Sequence, residues 1–174
     1  EASLQGLPWM AAFLDYQKYF DSISWSILWP LARHLGLPPW MASACDRFYH
    51  ALTSRFKVNG HFGAPFHRHN SIAQGCPLAM MWANILGSVW AKAIKLRTTQ
   101  VTAAVYVDDK SLRTSSAQAL RRSIQVTEEL DECLGNRLNP GKIDLLVLRP
   151  QDRLELADLT IGGAPPKFVQ SVTS

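Results

Sequence analysis

Three carboxylates stand out as groups that could do chemistry. Asp15 closes the apolar run WMAAFLD at residues 9–15, and Asp108 and Asp109 are adjacent. Clustered carboxylates repel one another unless cations neutralise them. Mg²⁺ suits such a cluster, because it takes oxygen ligands, a few carboxylates and substrate phosphate for the rest. Two such ions lower the barrier to phosphoryl transfer, one activating an attacking hydroxyl and the other steadying the leaving oxygen. Each acidic site also has a plain structural reading: Asp-Asp suits a turn, and Asp15 suits a helix N-cap. What separates the readings is whether the fold brings residue 15 beside residues 108 and 109.

The elements that would have to do this are legible in the apolar pattern. Residues 9–15 read as a buried strand. Ser24 predicts an N-cap for a helix over 24–35 that stops at Gly36. Pro38-Pro39 opens a second helix to about Leu52, with Tyr49 and Leu52 on one face. Asn59-Gly60 between Phe56, Val58 and Phe62 predicts a hairpin within 54–66. A polar loop runs from His67 to Gly75. Pro77 to about Leu96 then reads as a long helix, apolar nearly all round and therefore central.

Residues 102–107 are β-prone and end at the aspartate pair, and 111–113 would return as a second strand. Ser115 and Ser116 open a helix to about Leu134, stopped by Gly135, with Leu120, Ile124, Leu130 and Leu134 on its buried stripe. Residues 143–148 form a strand, 149–153 look linker-like, and a further strand is expected near 157–161. Without the hairpin insert the order is β-α-β-β-α-β, an α+β split sheet with helices on one face. In that sheet the strand ending at Asp15 can lie beside the hairpin that carries Asp108 and Asp109.

Composition bounds the rest. A chain of 174 residues suits one domain with a core, and 47% hydrophobic with 18% charged residues excludes a disordered chain. Several of the six tryptophans should be buried. A net charge of +4 and a pI of about 9.1 permit a nucleic-acid partner without demanding one. Cys45, Cys76 and Cys133 have no metal-ligand spacing, so free thiols in a reducing compartment are expected. No apolar run approaches membrane-spanning length, no secretory leader is visible, and no membrane partner is expected. Glu1 in place of Met and an unclosed C-terminal stretch look like cut ends of a longer chain.

Four segments, in order, carry a resemblance: FLDYQKYFDSI at 13–23, AQGCPL at 73–78, YVDD at 106–109 and LNPGK at 138–142. YVDD alone is weak, but QGCPL upstream of it, with LDxxKxFD before both, is highly specific. Over roughly residues 10–172 the sequence resembles reverse transcriptases, particularly those of non-LTR retrotransposons and group II introns. The resemblance implies a single polymerase palm over 1–174 with part of the fingers, the complete fingers and the thumb being absent. It implies RNA-directed DNA synthesis: a primer 3′-hydroxyl attacks the α-phosphate of a deoxynucleotide, with an RNA or DNA template and two Mg²⁺ ions, Mn²⁺ being a possible substitute. Nuclear action follows only for a eukaryotic retroelement.

The same resemblance assigns roles. Asp15 and Asp108 would hold both ions, Asp109 would assist at the primer end, and the Tyr16 carbonyl would touch a metal. Phe20 would lie under the sugar and screen out a 2′-hydroxyl, while Asp21 fixes the turn. Gln74 and Gly75 would run along nucleotide and template, glycine letting the backbone come close. Lys142 would protonate departing pyrophosphate. Arg55, Lys57, His67, Arg68 and His69 could face template phosphates. Three departures bear on activity. Tyr19 replaces a small residue and would narrow the sugar site. Ala79-Met80-Met81 replaces a Ser-Pro-Leu run. Lys110 would pair with a site carboxylate and compete with metal. Two other readings remain: an inactive retroelement relic or nucleic-acid-binding scaffold with this fold, and a cyclase-like two-metal enzyme, which would have no use for QGCPL.

Overall fold

The strand expected at residues 9–15 forms as β1 (Met10–Leu14), buried along almost its whole length. The computed structural model describes residues 8–73 and 75–169. After β1 come the single-turn helix α1 (Tyr19–Ser22), then α2 (Trp25–His34) and α3 (Pro39–Ala51). Two short antiparallel ribbons follow. β2 (Thr53–Ser54) pairs with β5 (Phe66–His67), and β3 (Lys57–Val58) pairs with β4 (His61–Phe62). Asn59 and Gly60 join β3 to β4 with φ of 49° and 84°, the left-handed pair that a two-residue I′ turn requires.

The long helix α4 (Ala79–Arg97) leads into β6 (Val101–Tyr106) and β7 (Asp109–Thr114), and then α5 (Ala117–Leu134). A 3₁₀ turn at Pro140–Lys142 precedes β8 (Asp144–Val147), α6 (Pro150–Glu155) and β9 (Lys167–Val169). The main sheet has the order β6-β7-β1-β8-β9. Its neighbours are antiparallel except β8 with β9. The first four strands are the split β-α-β-β-α-β sheet expected from sequence.

Strand alternation gives this sheet two unlike faces. Met10, Ala12, Leu14, Leu112, Leu145 and Val147 are buried under α4 and α5. Trp82 and Trp90 fill the space between, and the Trp90 indole N–H donates to Thr127 Oγ1 at 3.0 Å. The opposite face, with Ala104, Tyr106 and Asp109, is exposed. α4 crosses β6 closely because Gly87 has no side chain: a Cβ there would lie 2.8 Å from Val105 Cγ2. Gly87→Val is therefore expected to destabilise by about 1–3 kcal/mol through overpacking. A lower urea midpoint at unchanged m-value would show it.

Local signals set the boundaries. Ser116 Oγ accepts the Ala119 backbone N–H at 3.2 Å, an N-cap, and Gly135 ends α5 at φ 74°. Leu120, Ile124 and Leu134 are buried on α5 and Leu130 is partly so. Trp25, Trp29, Trp82 and Trp90 are buried, whereas Trp40 is exposed. The three cysteines are unpaired. Among the described residues no helix is long and apolar enough to cross a membrane.

Three expectations are corrected. α4 is one-sided: Met80, Asn84, Ser88, Lys92 and Leu96 form an exposed stripe, because helical spacing gathers the polar positions that a glance along the run scatters. Residues 149–153 belong mostly to α6, where Pro150 opens the helix and Arg149 donates to both Asp152 carboxylate oxygens at 2.8 and 2.7 Å. No strand forms over 157–161. Leu156, Leu159 and Ile161 bury themselves from turns instead, and the fifth strand is β9.

Candidate active site

The register of β1 against β7 decides where the acids meet. Leu14 pairs with Lys110, so Asp15 leaves the end of β1 on the exposed face beside Asp109. Tyr106 pairs with Asp109, leaving Val107 and Asp108 as the two turn residues. Val107 has φ 61°. A β-branched residue at positive φ is a genuine outlier, of a kind that concentrates at functional sites. The hairpin thus holds Asp108 at its tip by a conformation that its own sequence disfavours.

Asp15 has partners at both oxygens. Asn139 Nδ2 donates to Oδ1 at 3.4 Å, and Lys142 Nζ lies 3.5 Å from Oδ2. The Asn139 backbone N–H also donates to the Asp15 carbonyl at 2.9 Å, so the LNPGK segment is anchored to the strand end. The Asp109 carboxyl is held above the usual carboxylate range, first by burial, then by Asp108 and Asp15, with Lys142 opposing. A groove of about 370 Å³ runs over this face, bordered by Phe13, Asp15, Ala104, Tyr106, Asp109 and Lys142.

The residues after Asp15 are clamped to the segment that precedes α4. Asp21 accepts from Arg68 at 3.2 Å and from the Ser71 hydroxyl at 3.1 Å. The Ile72 N–H donates to the Phe20 carbonyl at 2.8 Å, and the Trp25 indole donates to the Ser71 carbonyl at 2.7 Å. Asp21 therefore fixes the turn, as expected. Phe20 is half-buried and packs edge-on to Tyr19. Gly75, at φ 88°, is exposed. Gln74 lies outside the described residues. Tyr16, Phe20 and Gly75 do not border the groove that holds Asp15, Asp109 and Lys142. Arg55, Lys57, His67 and His69 are exposed.

A family model described as "Reverse transcriptase (RNA-dependent DNA polymerase)" matches residues 1–162. The chain belongs to the reverse transcriptase family. Its fold is similar to telomerase structures. For Candida tropicalis telomerase in complex with a TWJ fragment of telomeric RNA, the TM-score is 0.64 at 17% identity, covering 81% of this chain and 26% of that one. For apo Candida tropicalis telomerase truncated from its C-terminal domain the values are 0.64, 20%, 81% and 31%. For Candida albicans telomerase with the TWJ fragment they are 0.67, 13%, 83% and 28%. The chain thus spans about a quarter to a third of those telomerases. No curated protein matches the sequence.

Two departures of this chain from the family's pattern, Lys110 and Tyr19, both lie on the buried side of the sheet. Lys110 does not pair with the site acids. Alternation along β7 turns it to the helix face, where its ammonium is buried, donates to the Tyr16 hydroxyl at 2.8 Å and lies 3.7 Å from Asp131 Oδ1. Burial pulls that ammonium down to about 8 against the opposing pull of Asp131. Tyr19 is likewise turned into the core, edge-on to Tyr16 at 5.4 Å.

Asn139 and Asp131 are the residues that sequence reasoning missed. Asn139 stood in the quoted motif without a role. Asp131 was visible as the one carboxylate on the stripe Leu120, Ile124, Thr127, Leu134. Among the described residues no three carboxylate, imidazole or thiol groups make a preformed metal cage. Mg²⁺ needs none, since it is commonly held by one or two carboxylates together with waters and substrate phosphates. An all-oxygen set in which burial and the charges of Asp108 and Asp15 push the Asp109 carboxyl upward fits such an ion.

Proposed function

We propose that this chain is the palm, with part of the fingers, of an RNA-directed DNA polymerase of the non-LTR retrotransposon and group II intron type. The observation that carries the reading is the pairing of Leu14 with Lys110, which sets Asp15 beside the Asp108-Asp109 turn on an open sheet face. Asp15 and Asp108 would hold two Mg²⁺ ions, with Mn²⁺ as a substitute, and Asp109 and the Tyr16 carbonyl would assist. When bound, such ions activate the attacking hydroxyl and neutralise the leaving oxygen.

The chain's own residues supply the remainder. The exposed Lys142 ammonium, tethered 3.5 Å from Asp15, is within reach of a phosphate lying on the acids and would protonate departing pyrophosphate. Gln74 and Gly75 would contact nucleotide and template. Fingers and thumb elsewhere in the polymerase would hold the triphosphate and the duplex.

The test is extension of a DNA primer on an RNA template by the polymerase carrying this palm, alongside deoxynucleotide binding to the chain itself. Both are expected to require Mg²⁺ or Mn²⁺. Absence of both, in a folded protein, overturns the reading. Phe20→Ala is expected to raise ribonucleotide use relative to deoxynucleotide by about 10–100-fold, the scale of a lost steric contact in a pocket. Competition between the two nucleotide types in that assay measures it.

A further inference from the structure

Each strand that presents a site acid is followed at once by a residue turned to the opposite face. Asp15 is followed by Tyr16, and Asp109 by Lys110. Under the sheet these two followers meet. The Lys110 ammonium donates to the Tyr16 hydroxyl at 2.8 Å, and that hydroxyl donates onward to Asp131 Oδ2 at 2.9 Å. Asn136 donates to Asp131 Oδ1 at 3.3 Å, and the Ser22 hydroxyl reaches Asn136 Oδ1 at 3.0 Å. The chain of bonds therefore runs from β7 through the end of β1 to α5 and back to α1. Aromatic rings enclose the cation, with Tyr16 centred 4.2 Å and Trp90 5.3 Å from Nζ.

We propose that Lys110, through Tyr16 and Asp131, is a positioning residue that locks the Asp15 and Asp108-Asp109 segments in one relative placement. A buried ion pair is a poor source of stability, because removing two charges from water offsets most of their attraction. A well-packed apolar trio would hold the core as well. What apolar packing would not do is fix the relative height of two strand ends by directed bonds. Lys110 is the residue next to Asp109, and Tyr16 the residue next to Asp15, so a slip in the pair moves the acids directly. Sub-ångström placement of acids is what their chemistry needs.

The inference rests on the polymerase reading of the open face, and its test separates the two. Lys110→Met/Asp131→Asn removes both charges and keeps an acceptor for the Tyr16 hydroxyl. Tyr16→Phe removes the linking hydroxyl alone and guards against misfolding of the first variant. Mn²⁺ affinity of the chain is measured by electron paramagnetic resonance, single-turnover primer extension is measured in the polymerase, and urea midpoints are recorded beside both. Expected are midpoints no lower than the parent's for the double variant, Mn²⁺ affinity weakened about tenfold or more, and a slower extension rate constant at unchanged nucleotide KM, as for loss of an orienting partner behind a ligand. Unchanged Mn²⁺ affinity and rate in both variants overturns the positioning role while leaving the polymerase reading intact. A parent that neither binds Mn²⁺ nor extends a primer overturns the polymerase reading and this proposal with it.

Discussion

Replacing Asp108 with alanine is expected to lower single-turnover primer extension by at least about 10³-fold, the scale of removing one member of a catalytic unit. The same substitution should leave the urea midpoint unchanged or slightly raised. Asp108 sits at the second position of a two-residue turn and takes part in no ladder bond. It contributes repulsion: with burial and Asp15 it pushes the Asp109 carboxyl upward. Removing it relaxes that strain in charge while removing a carboxylate proposed to hold the metal ions. Asp108→Asn keeps the shape and loses the charge, so an equal loss of activity would assign the effect to charge. Extension retained by either variant would show that the turn aspartate is ordinary turn chemistry.

The second large effect concerns folding. Asp131→Ala is expected to destabilise by about 3–5 kcal/mol, the cost of breaking a buried pair from one side. The variant strands the Lys110 ammonium, 2% exposed, and leaves the Tyr16 hydroxyl without its acceptor. The sign with pH follows from Lys110. Its folded value, about 8, lies below the ordinary 10.5, so between those values the unfolded chain binds the extra proton. Stability from this group is thus present at high pH and lost as pH falls through about 8.

Asp131 holds the Lys110 value up, so in the variant the window opens lower and the deficit shrinks more steeply on going alkaline. Tyr16, Tyr19 and Tyr49 act oppositely above their ordinary value of 10.0, because burial raises them in the folded state. The gain is therefore confined to about pH 8–10. Urea melts of parent and variant at three pH values from about 7 to 9.5 check it. Stability of the parent falling steadily over that range would contradict the buried-cation account.

Most of the frame was legible because its signals are local. Ser116, Gly135, Pro38-Pro39 and Asn59-Gly60 each act within a few residues, and each boundary they mark is found in the structure. The four ordered motifs were legible for the same reason, and they led to the family. Where the pattern misled, at α4 and over 149–161, a mixed apolar run had two local solutions and packing chose between them.

By itself the sequence determined the elements up to residue 148, the split-sheet plan and the three acids worth watching. Only the tertiary structure decided which neighbours each acid would have. Asp15 gained Asn139 and Lys142 because the segment after α5 returns beside β1, 124 residues away in one case. Lys110 went to the opposite face from Asp109 because the side-chain period of a strand is two, and it found Asp131 because α5 lies on that face. Whether a lysine beside two aspartates neutralises them or turns its back on them is a question of strand register, and register belongs to the whole sheet rather than to any stretch of it.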